Sequence, residues 1–203
     1  MATIKEKTLY RVIYADPPWP YRDRTLRFGL KKREGSSSVT AHYNVMRIRD
    51  ICELKVPAAE HSYLFLWTTN SFLREAFEVM ETWGFEYKTT LTWVKPSIRM
   101  GYYFRGRTEH VLFGTRGKPG RLKSKSLGNV VHAYVTKHSQ KPDVFYDLIE
   151  AACDGPYLEM FARRRRKGWD AWGDQVPIEV AVTSSKSDRE EQKSVAMLVG
   201  CRP

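Results

Sequence analysis

Hydrophobic and polar positions along this chain switch between a period of two and a period near 3.6, and the switches mark out its elements. Leu9–Ala15 is rich in β-branched and aromatic residues and ends in an acid and two prolines, which predicts a buried strand and then a stiff turn. Pro20–Thr40 shows no period and reads as a long polar loop. Arg47–Leu54 predicts a short helix, and Tyr63–Trp67 is a continuous apolar run of buried-strand length. Phe72, Leu73, Ala76, Phe77, Val79 and Met80 recur at helical spacing. They predict a helix capped by Asn70 or Ser71 that runs to about Thr82 and is ended by Gly84. Tyr87–Trp93 and His110–Phe113 read as strands. Pro142 suits the first position of a helix carrying Val144, Phe145, Leu148, Ile149 and Ala152; Gly155-Pro156 breaks it, and Tyr157–Phe161 is the next strand. Strands alternating with helices predict an α/β fold built on a mostly parallel, doubly wound sheet with helices on both faces.

Length adds that one domain, over residues 1–176, accounts for this pattern; 177–203 reads as a polar, partly disordered tail. No apolar run approaches the roughly 20 residues that span a bilayer, and no signal-peptide pattern opens the chain. Cys52, Cys153 and Cys201 are odd in number and widely spaced, so they read as reduced thiols of a cytoplasmic protein. His42, His110, His132 and His138 lack metal-ligand spacing, and no metal is expected. The formal charge of +11 favours a polyanionic partner, nucleic acid before membrane. That charge is concentrated. Arg22, Arg24, Arg27, Lys31, Lys32 and Arg33 face only Asp23. Between Lys95 and Lys125, a stretch that includes Arg99, Arg105 and Arg107, nine basic residues face Glu109 alone. Both segments read as loops that contact nucleic-acid phosphates.

Candidate chemistry sits at the end of the first strand, in Asp16-Pro17-Pro18-Trp19. The prolines fix φ and lack amide donors, which predicts carbonyls facing outward as unpaired acceptors. An aromatic exocyclic amine is a poor nucleophile because its lone pair is delocalised into the ring. Two acceptors, the Asp16 carboxylate and the Pro17 carbonyl, can take its N–H bonds and draw it toward tetrahedral geometry at a preorganised negative site. Trp19 then stacks on the base and holds it in line with a methyl donor. Those residue types point to amino-group methylation of a nucleobase.

The chain resembles the MT-A-type N6-adenine methyltransferase family, which includes the catalytic subunit of the eukaryotic mRNA adenosine methyltransferase and many bacterial and phage enzymes. The resemblance runs from about Val12 to Gln175 in ordered blocks. These are Tyr14–Trp19, His42–Met46, Leu64–Thr68, Leu91–Lys95, Arg107–His110 with Leu112–Gly114, His138–Asp143, Glu159–Arg163 and Trp172–Gln175. It implies S-adenosylmethionine as cofactor and a circularly permuted Rossmann-like methyltransferase sheet, with the catalytic block before the cofactor block. It also implies that Asp16 and Pro17 bind the amine, that Trp19 and Tyr43 shape the base pocket, and that Trp93 and Lys95 line the target side. Lys141 would meet the cofactor's carboxylate, Asp16 would touch the cofactor as well as the amine, and Phe161, Arg163, Asp174 and Gln175 would lie beside its ribose and adenine. Taken without the resemblance, Tyr43 and Trp93 read first as core aromatics. Three departures stand out. Phe161-Ala162-Arg163 replaces the Gly-rich loop of many other methyltransferases, as in this family. Arg164–Lys167, a solvated turn or a phosphate clamp, replaces a Pro-His-Asn segment of eukaryotic members, and Asp174 replaces their Asn.

The leading expectation is adenine-N6 methylation of nucleic acid, DNA before RNA, in a bacterial or phage-infected cytosol. DNA is preferred because the chain is compact and carries no zinc finger or RNA module. The alternatives are an RNA adenosine methyltransferase, a catalytically silent nucleic-acid-binding subunit, and cytosine-N4 methylation, which Asp16 disfavours. No Gly-x-x-x-x-Gly-Lys-Ser/Thr loop supports an ATP-driven enzyme. Target sequence, and whether the chain acts alone, as a homodimer or with a partner subunit, are not legible.

Overall fold

The computed structural model describes residues 8–20, 45–99, 103–135, 140–174, 176 and 183–184; of Arg99, Thr183 and Ser184 it describes the backbone. The strands are β1 (Tyr10–Ala15), β2 (Leu54–Lys55), β3 (Ala58–Thr69), β4 (Glu86–Arg99), β5 (Gly106–Arg116), β6 (Val130–His132), β7 (Tyr157–Met160), β8 (Trp169–Trp172) and β9 (Thr183–Ser184). The α-helices are α1 (Ile48–Cys52), α2 (Leu73–Thr82) and α3 (Val144–Ala152). Seven strands form one mixed sheet in the order β6-β4-β5-β3-β1-β7-β8, and β2 pairs with β9 in a separate two-stranded ladder.

Strand alternation divides the core in two. On one face Ile13, Ala15, Leu64, Leu66, Leu112, Leu158 and Met160 pack against Ile51 of α1 and Ala76, Val79 and Met80 of α2. On the other, Val12, Tyr14, Tyr63, Phe65, Trp67, Trp93 and Val111 pack against Phe145, Tyr146, Ile149 and Ala152 of α3. β1 is parallel to both β3 and β7, β7 to β8, and β4 to β6. β5 is antiparallel to β3 and β4. Periodicity does not reveal the antiparallel member. Its cause is the short link between Arg99 and Gly106, which permits a hairpin but not the dozen-residue crossover a parallel pair needs.

Other differences have local causes. Asn70 and Ser71 do not cap a helix through their side chains: Asn70–Phe72 is a 3₁₀ turn, and α2 begins at Leu73 without a side-chain cap. Asn70 is drawn instead to β5, donating to Thr108 Oγ1 at 3.0 Å and bonding His110 Nε2 at 2.9 Å. Gly84 ends the helix as predicted. At φ +77° its N–H donates to the Glu81 carbonyl at 2.8 Å and that of Phe85 to Met80 at 3.0 Å, a Schellman closure. Pro142 precedes the helix rather than opening it, and Asp143 is the N-cap of α3. Cys153 is buried, which pushes its thiol up to about 12 and leaves it protonated and inert. Among the described residues no helix is long and apolar enough to cross a membrane. Arg22, Arg24, Arg27, Lys31, Lys32, Arg33, Tyr43, Gln175, Cys201 and nearly all of the expected 177–203 tail lie outside the described residues.

Candidate active site

The period of two that sends Tyr14 toward α3 also sends Asp16 there, one step past the end of β1. Both of its carboxylate oxygens accept from Lys141 Nζ, each at 2.8 Å. Lys141 reaches this point from the segment just ahead of α3. Its ammonium also lies 3.4 Å from Glu109 Oε2 and 5.0 Å from the centre of the Trp67 ring. Glu109 Oε1 accepts from Lys95, whose ammonium lies 4.5 Å over the Trp93 ring. Glu109 stands opposite Trp93 on one side and Thr69 on the other, so register alone delivers it to the cluster. A chain of alternating charge, Asp16–Lys141–Glu109–Lys95, therefore lies on an aromatic floor of Trp67 and Trp93.

Burial shapes how these groups titrate. Burial opposes charge on Lys141, but Asp16 and Glu109 outweigh it and raise the ammonium above its ordinary value. Burial likewise opposes the Glu109 carboxylate; Lys141 and Lys95 win and hold it below the carboxylate range. Both stay charged at neutral pH. Glu159, opposite Tyr14 in the β1–β7 register, behaves in the reverse way. Burial, with Asp16 adding to it, pushes its carboxyl up to about 7, although the Tyr146 hydroxyl donates to it at 2.8 Å and Arg163 and Arg166 pull the other way.

That shift carries a stability prediction. A raised folded pKa means the fold favours protonated Glu159. The benefit is full below the ordinary value near 4.5 and is lost as pH rises through about 7. The difference amounts to ~3 kcal/mol. Glu159→Gln keeps an acceptor for Tyr146 and cannot ionise. It should be more stable than the parent at pH 8, by about 1–3 kcal/mol, and should show a flatter stability profile between pH 5 and 8 in urea unfolding. Parallel profiles for the two proteins would show that Glu159 does not titrate in this window.

The turn after β1 corrects two expectations. The Pro17 and Pro18 carbonyls are not unpaired: Pro17 O accepts from the Trp19 N–H and Pro18 O from the Met46 N–H, both at 2.9 Å. The first bond closes a three-residue turn, so the proline constraint that exposes the carbonyl also folds the next amide onto it. Each oxygen keeps a second lone pair. Trp19 does not offer an open ring for stacking. It is 3 % exposed, stacked on Phe72 at 5.7 Å, and donates Nε1–H to the Trp67 carbonyl at 3.2 Å. Having left the strand, its side chain falls on the α1/α2 face and serves as the wall behind the site. Trp93 is buried too, donating to the Ala133 carbonyl at 2.8 Å, and forms floor under Lys95.

At the end of β7, Phe161 holds φ +62°, a conformation disfavoured for a bulky residue, and sets its ring against Trp172. Gly173 closes on this bend so tightly that a Cβ would strike the Ala162 backbone. This strained residue stands at a strand end beside the charged cluster, where the Asp16 N–H faces the Met160 carbonyl. Arg163 is half-buried next to it and Asp174 is exposed. Arg164 pairs with Asp143, and Arg166 with Asp147 at 2.7 Å and Glu150 at 2.9 Å. These two arginines tie the β7–β8 link to α3. Arg105 and Arg107 are exposed on the β4–β5 hairpin, and Arg107 Nε donates to the Lys95 carbonyl at 3.1 Å. Glu109, Trp67 and Glu159 join the site without a role expected from sequence. Glu109 has a signal, as the lone acid in a long basic stretch; the other two depend on strand register. No His, Cys, Asp and Glu group among the described residues could hold a metal ion.

A seven-stranded mixed sheet with two prolines and the lysine-paired Asp16 carboxylate at its carboxyl edge gives the class: an α/β protein whose architecture is consistent with that of a methyltransferase. The chain belongs to the MT-A70 family, whose model matches residues 10–175. It is similar to the type II methyltransferase M.MunI of Mycoplasma, 31% identical over 198 residues that cover 91% of this chain and 85% of that protein. It is also similar to the N(6)-adenosine-methyltransferase catalytic subunit METTL3 of Homo sapiens, 26% identical over 179 residues that cover 82% of this chain and 28% of that one. A putative N(6)-adenosine-methyltransferase MT-A70-like protein of Medicago truncatula matches at 28% over 179 residues, 82% of this chain and 26% of its own length. The chain thus spans about a quarter of these eukaryotic relatives and most of the Mycoplasma protein.

Proposed function

We propose that this protein transfers a methyl group from S-adenosylmethionine to the N6 amine of adenine in nucleic acid, DNA in preference to RNA, in the cytoplasm. The observation that carries the reading is the Asp16–Lys141 pair, a carboxylate held by an ammonium at the carboxyl ends of the strands, where open α/β sheets bind ligands. DNA is favoured because the match to the type II methyltransferase extends over most of both chains, whereas the adenosine methyltransferases have most of their length outside the match.

The doubly wound, circularly permuted arrangement belongs to the same proposal. The strand that bears the catalytic acid, β1, comes first in the chain, and β7, with the strained Phe161 after it, comes last among the central strands. The residues here fit the cofactor. Lys141 offers a buried ammonium for a carboxylate, while Phe161 and Arg163 stand at the adjacent strand end, with Asp174 and Gln175 following β8. When bound, S-adenosylmethionine supplies an electrophilic methyl on a sulfonium. Asp16 accepts one N–H of the target amine while a second oxygen stays on Lys141, since a carboxylate has about four acceptor sites. Pro17 accepts the other N–H through its remaining lone pair. Lys95 lines the target side, with Trp93 as the floor beneath it. Arg22, Arg24, Arg27, Lys31, Lys32, Arg33, Arg99, Arg105 and Arg107 meet phosphates and make binding fall with salt.

The test is methyl transfer from labelled S-adenosylmethionine to unmethylated DNA and to RNA, single- and double-stranded, read by nucleoside mass spectrometry. N6-methyladenine in DNA is expected. Methylcytosine as the product, or N6-methyladenine in RNA alone, would overturn the assignment. No transfer with intact nucleic-acid binding would make the chain a silent subunit, a reading the retained Asp16–Lys141 pair disfavours.

A further inference from the structure

Among its described residues the β4–β5 hairpin carries two aromatic rings that the fold leaves in water. Tyr103 is 95 % exposed and Phe104 is 90 % exposed, in a protein whose other Phe side chains among the described residues are buried or half-buried. Ile98, at the other arm, is 66 % exposed, and Tyr134, just past β6, is 79 % exposed. Leaving large apolar groups in water forgoes burial energy and invites association, so such a patch marks an interaction site. Here the rings adjoin cations: Arg105 follows Phe104, Arg107 stands two residues further on, and Lys95 lies at the base. That combination selects a partner with flat apolar faces set between anions, which describes the stacked bases and phosphates of a nucleic acid.

Topology places the hairpin at the right end of the sheet. β4 and β6 run parallel to each other, and β5 runs antiparallel to both β4 and β3, which brings the carboxyl ends of β1, β3, β4 and β6 to one edge. The hairpin leaves from that edge, the same one that carries Asp16 and Lys141. Phe104 is five residues from Glu109, so its reach along the strand is at most ~17 Å. That distance equals about five base steps at ~3.4 Å each. The tip therefore acts on the bases around the target rather than on a remote site.

We propose that Tyr103 and Phe104 form an aromatic wedge that enters the base stack of duplex DNA beside the target adenine and stabilises the duplex once that base has been extruded into the site. The inference rests on the nucleic-acid reading above and adds the substrate form: a duplex opened by the hairpin. An amine inside a paired duplex is out of reach of Asp16, so extrusion is obligatory there, and filling the broken stack offsets part of its cost.

The experiment compares the full-length protein with the Tyr103→Ala/Phe104→Ala and Tyr103→Trp/Phe104→Trp variants. The substrate is one unmethylated plasmid DNA, native or heat-denatured, with labelled S-adenosylmethionine and excess enzyme. The alanine pair should lose about 10- to 100-fold in transfer to native DNA and less than about threefold to denatured DNA, because a single strand needs no extrusion. The tryptophan pair should restore transfer to native DNA. The salt dependence of binding should be the same in all three proteins, since no phosphate contact is removed. Both rings are exposed, so the alanine pair should melt within a degree or two of the parent. Equal loss on both DNA forms, or none on either, would overturn the wedge while leaving the methyltransferase reading intact. Loss of self-association or of a protein partner, with transfer to native DNA unchanged, would make the patch a protein interface and overturn it too. A parent protein that transfers nothing to either DNA would refute the DNA reading itself, and the wedge with it.

Discussion

Asp16→Ala should lower methyl transfer by roughly 100- to 1,000-fold while leaving a folded protein that still binds S-adenosylmethionine. The adenine amine can become nucleophilic only as its lone pair leaves the ring, and positive character develops on nitrogen as the methyl arrives. A fixed carboxylate at that point stabilises the transition state more than the ground state, which is the requirement for a rate effect. The side chain is 21% exposed and its oxygens are already oriented by Lys141, so little reorganisation is left to do in the reaction. Lys141 keeps Glu109 at 3.4 Å in the variant, so the cofactor side should survive. Asp16→Asn retains one acceptor oxygen but turns two donors toward the amine or Lys141, and should fall between alanine and the parent. Single-turnover rates at saturating cofactor, with cofactor affinity measured separately, decide the point. An alanine variant keeping more than a tenth of the rate would remove Asp16 from the chemistry.

Local chemistry makes some of this legible and long-range register the rest. β1, the helix closed by Gly84, and the acid-proline turn each follow from neighbouring residues, and the structure has all three. Asp16 stands out in the sequence, Lys141 only through the family resemblance, and their direct contact across 125 residues has no local signal. Glu109 shows only as an oddity of composition; the antiparallel pairing that brings it to Lys141 is a property of a hairpin, not of a periodic pattern. β6 and β8 are three and four residues long and alternate buried with exposed positions over too short a span to register as strands. Trp19 misleads for a specific reason. An indole next to a catalytic acid suggests stacking on substrate, yet the turn that aims Asp16 toward α3 rotates Trp19 to the opposite face, where Phe72 and the Trp67 carbonyl receive it.

Lys141→Met should destabilise the fold by roughly 3 kcal/mol near neutral pH, and neutralising Asp16 as well should largely reverse the effect. Lys141 is the shared counter-ion of two carboxylates, with 17% of its side chain exposed against 21% for Asp16 and 16% for Glu109. Removing one partner of a buried pair leaves the other charge desolvated and uncompensated, which costs more than the intact pair contributes. Glu109 retains Lys95, so the unpaired charge falls on Asp16. The pH window follows from the two resolved shifts. Glu109, held low, stabilises the fold above about 4.5 and loses that benefit as pH falls through its folded value; Lys141, held high, stabilises it below about 10.5 and loses that benefit as pH rises through its own. The deficit of Lys141→Met should therefore be present across the neutral range and shrink in acid, as pH falls through the Glu109 value. In Asp16→Asn/Lys141→Met no charge is stranded, and the double variant should be more stable than Lys141→Met alone, a non-additivity visible in urea midpoints. Simple addition of the two single effects would mean that the pair is solvated in solution, and the charged chain from Asp16 to Lys95 could not then be the rigid frame of the site.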